Sequence, residues 1–379
     1  MKFAHIADCH VGSWRDPRLK DTGARAFIMA IDKCIEKKVD FVIIAGDLFN
    51  TSFPRLEGLK VVTGKLRELK EKGVGVYVVP GSHDYSPSGK TILDVLEEAG
   101  LFVNVFKGVV EGGKLKLNFV VDSKTGVKLT GILGKRGALE KIYYENLMLD
   151  HLENEDGYKI FLFHSGVDEL KPKKMENVDS QPISLLPKNF NYYAGGHIHI
   201  VQDKQIEGYG RVAYPGPLFP NSFSELEELE KGGFYIVEDD KVEWHSVEVH
   251  KVFKIRIDCS NLNSSQIMER ILEEIGDKDF VNTIVLIRLE GIMDGKPSEV
   301  NFKIVFDKFY SNNAYFVMRS TTKLKSKDYE EVKIDAKDIE NIENELIKEN
   351  IGQVEVEGDE AELVKELIKV LDSEKDESE

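Results

Sequence analysis

Apolar positions along this chain follow two periods that alternate over its first hundred residues. Short, nearly continuous runs at residues 3–7, 41–45 and 76–79 predict strands buried on both faces, as in a parallel sheet covered on each side. Between them the apolar residues return at helical spacing. Phe27, Ile28, Ile31 and Ile35 predict a helix over 24–37; Leu59, Val62, Leu66 and Leu69 predict one over 56–72; Ile92, Val95 and Leu96 predict one over 91–99. Residues 101–135 read as several strands with turns at Gly112-Gly113 and Gly126, and residues 135–152 as helical. A further buried strand is expected at 160–163, then a long irregular stretch over 166–187. Strands at 210–214 and 233–238 are expected to complete a second sheet. Strands alternating with helices, then a strand-rich half, predict an α/β unit over residues 1–250: a two-sheet β-sandwich flanked by helices.

The pattern changes near residue 251. Strands at 252–258, 284–289 and 315–319 alternate with helices at 265–275 (Ile267, Ile271, Leu272, Ile275) and 298–310, which predicts a small α/β unit over 251–322. His245 and His250, near the junction, read as structural or surface residues. A charged linker is expected from Lys323, opening a last segment, 323–379, with two short helices separated by Gly352 and Gly358. One carries Ile339, Ile342 and Leu346 and the other Val364, Leu367, Ile368 and Leu371. Isolated helices of that length are marginal in water, so this helix-loop-helix either packs back on the body or grips a partner.

Composition and charge narrow the class. At 379 residues with 41% hydrophobic residues, the chain has room for two or three domains and a sizeable core. No apolar run approaches a bilayer span, and the first residues enter a strand rather than a signal sequence, so no membrane association is expected. Three cysteines (Cys9, Cys34, Cys259) without zinc spacing predict a reduced, intracellular, cytoplasmic protein. The net charge of −16 is uneven: residues 331–379 hold 18 acidic and 6 basic residues, a balance of −12, so the other 330 residues carry −4. The body is near neutral, and its charge does not exclude a polyanionic partner.

Chemistry gathers where the apolar runs stop. The first strand leads into Asp8-Cys9-His10, the second into Gly46-Asp47, the third into Gly81-Ser82-His83-Asp84, and the fourth into His164; a further cluster reads Gly196-His197-Ile198-His199. Strand alternation would project Asp8 and His10 together, at the carboxyl end where open α/β sheets place ligands. Satisfied core histidines or turn aspartates explain any one cluster, but not their recurrence at strand ends. Carboxylate and imidazole donors without thiolate suit Mn²⁺, Fe²⁺ or Zn²⁺. The polar loop after His10 offers Arg15, Arg18 and Lys20 as candidate phosphate contacts.

These motifs resemble those of the calcineurin-like metallophosphoesterase superfamily, whose signature runs D-x-H, G-D, G-N-H-[DE], H and G-H-x-H, across roughly residues 1–220. The flanking stretches HIADCHVG, IAGDLFN, GGHIH and AYPGPL resemble the nuclease subunit of the DNA double-strand-break repair complex, of which the bacterial versions are SbcD-like. That resemblance implies two divalent cations per chain, Mn²⁺ foremost: one held by Asp8, His10, Asp47 and His199, the other by Asp47, His164, His197 and the Ser82 position, where the family has Asn. It implies that His83 approaches the scissile phosphate with Asp84 orienting it, giving exonuclease and endonuclease activity on DNA. It also implies a capping domain over 251–322 that helps hold DNA, and a homodimer through helices carrying Leu59 and Val95. It further implies a nucleoid-associated location for this chain and an ABC-type coiled-coil ATPase partner gripped by the C-terminal helix-loop-helix. Two other readings stay open on the residues alone: a phosphoprotein or small-molecule phosphatase with the same metals, and a scaffold with a vestigial site.

Overall fold

The computed structural model of the chain describes residues 1–327 apart from residues 87, 88, 177 and 240. Ile339, Ile342, Leu346, Val364, Leu367, Ile368 and Leu371, with the helix-loop-helix expected around them, lie outside the described residues.

Two six-stranded sheets face each other. The first runs in the order Lys241–Val247, Gly232–Glu238, Lys2–Ile6, Phe41–Ala45, Gly75–Val79, Val103–Asn104, the last four parallel. The second runs Val201–Ile206, Gly210–Pro215, Tyr192–Gly196, Lys159–His164, Lys128–Ile132, Val120–Val121, with its four central strands parallel and an antiparallel strand at each edge. The continuous apolar runs are explained by what covers each face. Phe41, Ile43 and Ala45 enter the core between the sheets with Leu129, Ile160, Leu162 and Tyr192. Val42 and Ile44 point the other way, onto Phe27, Ile31, Val62 and Leu66 of the helices Thr22–Glu36 and Leu56–Glu71. Burying both faces of a five-residue strand leaves no polar position in it.

Two expectations are corrected here. Gly232–Glu238 does not extend the second sheet; it pairs antiparallel with Lys2–Ile6 in the first. Phe234 and Ile236 join the helix-side core while Tyr235 and Val237 join the inter-sheet core, so its apolar run suits either sheet and cannot say which. Residues 135–152 form no single helix. A 3-10 turn at Arg136–Ala138, a helix at Lys141–Glu145 and one at Asp150–Glu153 replace it, broken where Gly137 (φ 66°) and Ala138 (φ 52°) adopt left-handed backbone.

The third sheet is small and wholly parallel: Lys251–Asp258, Thr283–Met293, Phe316–Ser326. Helices Ser264–Ile275 and Phe302–Ser311 cover one face through Ile267, Ile271, Ile275, Val305 and Phe309. The other face lays Ile284, Leu286 and Phe316 into the helix-side core of the first sheet. The expected linker at Lys323 is corrected as well, since the strand continues to Ser326 with Leu324 buried. At the seam, His250 stacks on Tyr315 with ring centroids 3.9 Å apart, and the Arg18 guanidinium lies 4.9 Å from the Tyr310 ring and 4.6 Å from that of Phe316. No helix among the described residues is long and apolar enough to cross a membrane.

The sheets approach closely at Gly196, where an added Cβ would lie 2.0 Å from the Ala45 carbonyl oxygen and 2.8 Å from His164 Nδ1. Gly196→Ala therefore forces the strands apart. It is expected to cost about 1–3 kcal/mol, read as a lower urea midpoint with an unchanged slope; an unshifted midpoint would mean the strands are looser than this packing implies.

Candidate metal centre

Parallel strands bring their carboxyl ends to one edge, so the turns after Ile6, Ala45, Val79, His164 and Gly196 meet there. His164 closes its own strand, but Asp8 and His10 are not presented by strand pleat, as the alternation argument had it. The strands stop at Ile6 and Gly196, and Asp8 (φ 50°), His10 (41°), Asp47 (52°), His197 (94°) and His199 (29°) all take left-handed backbone. Non-glycine residues in that region cost on the order of 1–3 kcal/mol each and persist only where the surroundings fix them. Here the turns are tied to one another. Asp8 N–H donates to the Gly46 carbonyl (3.1 Å) and His10 N–H to that of Asp47 (2.9 Å). His197 N–H donates to both Asp8 carboxylate oxygens (3.0 and 3.1 Å), and His83 N–H to Asp47 Oδ1 (2.8 Å).

The side chains converge in three overlapping groups, each with its donor atoms within 4.8 Å of one another: Asp8, His10 and His199; His10, Asp47 and His83; Asp8, Asp47 and His164. Nε2 of His10 and Nε2 of His199 oppose each other at 3.1 Å, and Asp47 Oδ2 lies 3.4 Å from His10 Nε2 and 3.2 Å from His164 Nε2. Bases facing bases and acceptors at this distance suit a shared cation. Buried His164 Nε2, which has no hydrogen-bond partner among the described residues, suits one too. The outward nitrogens are fixed: His164 Nδ1 by the Ala45 carbonyl (2.8 Å), His199 Nδ1 by Glu225 (3.2 Å), His83 Nδ1 by the Asn50 carbonyl (3.0 Å). That leaves Nε2 of His164 and His199 turned inward, the arrangement metal-bound imidazoles adopt. The residues present therefore fit divalent cations.

Electrostatics agree with the geometry. Burial alone would raise Asp47, but His164, His10 and His83 hold it well below the ordinary carboxylate range. Burial would likewise lower His164, yet Asp47, Asp8 and the Ala45 carbonyl carry it up to about 9. Burial lowers His10 to about 4 against the pull of Asp47, and lowers His197 to about 4 with the charge of His164 adding to it. Two buried carboxylates thus hold positive charge between them, as protons or as a cation that displaces them.

The expected residues do not all meet. His197 contributes its backbone N–H to Asp8, and its ring packs edge-on to His164 (5.2 Å between centroids); it stands outside the three groups, and Ser82 is buried beside them. Asp84 does not touch the His83 ring, which leans on Asn50 instead; its carboxylate accepts from the amides of Leu48 (3.1 Å), Phe49 (3.0 Å) and Gly81 (3.1 Å). Burial and the charge of Asp47 push Asp84 up to about 7 against those amides. Of the loop cations, Arg15 is exposed, Arg18 is engaged with the capping rings, and Lys20 lines a cavity of about 260 Å³ with Trp14, Arg25 and Arg55. Leu59 packs against the core, whereas Val95 is 60% exposed, as are Phe53 (69%) and Leu56 (77%), neither of which the apolar stripes had singled out. The sequence argument also missed Glu225 and the Ala45 and Asn50 carbonyls: a backbone oxygen leaves no mark on a sequence, and Glu225 sits in the acidic run 225–230.

A family model described as calcineurin-like phosphoesterase matches residues 1–201, more than half of the chain. The chain is 27% identical over 330 residues to a DNA double-strand break repair protein Mre11 of Archaeoglobus fulgidus, covering 80% of this chain and 72% of that one. Proteins of the same description from Sulfurisphaera tokodaii (28% identical, 90% of this chain and 86% of that one) and Methanocaldococcus jannaschii (27%, 92% and 93%) are similar over still more of its length.

Three backbone amides from two turns depend on one carboxylate. Asp84→Asn places an amide N–H₂ against at least one of them and is expected to cost about 1–3 kcal/mol, measured by thermal melting of the metal-free protein. An unchanged melt would show that water serves those amides equally well.

Proposed function

The chain belongs to the calcineurin-like phosphoesterase family, and we propose that it hydrolyses phosphodiester bonds in DNA as the nuclease subunit of a double-strand-break repair complex. The observation that carries the reading is the convergence of Asp8, His10, Asp47, His164 and His199 at one sheet edge with the partly exposed His83 beside them. The substrate class is supported by relatives whose similarity extends well beyond residue 201.

In this reading Asp8, His10, Asp47 and His199 hold one cation and Asp47, His164, His197 and the Ser82 position the other, Mn²⁺ being the leading candidate. Two such ions, when bound, supply Lewis acidity and a nucleophile near neutral pH for in-line displacement at phosphorus. The chain's own residues do the rest. Asp47, held by the His83 amide, stays ionised between both sets of imidazoles. His83 keeps its Nδ1–H on the Asn50 carbonyl; the doubly protonated ring gives its Nε2 proton to the departing 3′ oxygen and is left as the neutral Nδ1–H tautomer. Asp84 acts on His83 through the turn they share. The third sheet serves as a capping unit beside the centre, and Arg15, Arg18 and Lys20 are the candidate contacts to backbone phosphates. Exposed Phe53, Leu56 and Val95 support association of two copies, the Ile92 amide being bonded to the Ser52 carbonyl (3.1 Å) so that the segments carrying them adjoin. The ABC-type ATPase remains the partner proposed for the apolar stripes beyond residue 327.

His83→Ala is expected to retain wild-type Mn²⁺ stoichiometry while losing about 10²–10⁴-fold in cleavage rate, followed with end-labelled duplex DNA and metal analysis of the same sample. Loss of metal would make His83 a ligand. A wild-type protein that binds two ions, hydrolyses a small phosphomonoester and leaves DNA intact would overturn the DNA reading.

A further inference from the structure

Between the metal centre and the capping unit lies a helix of seven residues, Phe223–Leu229, whose start is capped by Ser222 accepting from the Glu225 amide (3.2 Å). Its two sides contact different parts of the molecule. On one, Glu225 places Oε1 3.2 Å from His199 Nδ1 and accepts the Asn221 amide on Oε2 at 2.9 Å. On the other, Glu227 receives Arg288 of the capping strand Thr283–Met293: Nε at 2.7 and 2.9 Å from the two carboxylate oxygens, and Nη2 at 2.7 Å. The Arg288 side chain is 7% exposed, and its guanidinium lies 4.9 Å from the Phe223 ring. Between the two acids, Leu226 is fully buried in the core that also takes Ile284, Leu286 and Phe316 from the capping sheet.

A seven-residue helix has little stability or orientation of its own. What aims Glu225 is the packing of Leu226 and the fork from Arg288, a planar donor matched to a carboxylate. An imidazole whose Nδ1–H is held by a carboxylate presents Nε2 in one tautomer and at one angle, and His199 Nε2 lies 3.1 Å from His10 Nε2 and 3.6 Å from Asp8 Oδ1. Resting on the metal-centre reading above, we infer that Glu225 is a positioning residue for His199, and that the Glu227–Arg288 clasp to the capping unit fixes the helix from which it acts. The seating of the capping unit then sets the affinity of the cation site that includes His199, leaving the His164 side unaffected. A carboxylate that merely neutralises a neighbouring imidazole needs no anchored helix, and here the anchoring guanidinium is buried and its grip on Glu227 directional.

Mn²⁺ titration of the full chain, by calorimetry and by the spin resonance signal of the bound ion, tests this without recourse to cleavage. Glu225→Ala is expected to weaken one of two sites about 10–100-fold and leave the other unchanged. Glu225→Gln, whose amide oxygen still accepts from Nδ1–H, should restore most of that affinity. Arg288→Gln should weaken the same site by less, and the double variant Glu225→Ala/Arg288→Gln should bind no worse than Glu225→Ala. Wild-type affinity in Glu225→Ala, or a Gln variant as weak as Ala, would overturn the positioning role; additive losses in the double variant would overturn the link through the helix. A wild-type protein that takes up no Mn²⁺ would instead remove the metal centre on which the inference rests.

Discussion

Asp8 and Asp47 are 1% and 2% exposed, and keeping two carboxylates ionised at that depth is the constraint on which the rest of the site depends. Ions so deeply buried are tolerated only when paired and hydrogen-bonded. Each answer to that requirement is visible. Backbone amides of His197 and His83 point at the carboxylates, imidazoles of His10, His164 and His199 surround them, and the turns adopt left-handed backbone so that amide and side chain reach inward together. The fold provides rigidity; the unspent donors on the imidazoles provide the affinity for cations.

That rigidity comes from the sheets. Parallel strands in both layers end at one edge, and glycines let the layers close there: a Cβ at Gly46 would lie 2.0 Å from His164 Nδ1, and one at Gly196 2.0 Å from the Ala45 carbonyl oxygen. The capping unit is not a distant appendage to this edge. Its sheet shares a core with the first, and Arg288 grips the helix carrying Glu225.

How much of this could be read from the sequence differs by element. The strands were legible because runs such as 41–45 are buried on both faces, and the donor residues because polar side chains interrupt those runs at the same end. The placement of Gly232–Glu238 was not legible, since an apolar run that satisfies two cores is mute about its partner. Nor was the break at Gly137-Ala138, where helical spacing continued past a backbone reversal. The roles of Asp84 and Glu225 depend on which atoms they meet across 36 and 26 residues of chain, at Leu48 and His199, and pattern carries no such information.

The central claim is that Asp47 sits between two cation positions. Crystals of the full chain grown with Mn²⁺ and measured at the manganese absorption edge test it most directly. The account predicts two anomalous peaks with the Asp47 carboxylate between them, one toward Asp8, His10 and His199 and the other toward His164 and His197. One peak, or two that both leave Asp47 uncoordinated, would contradict it.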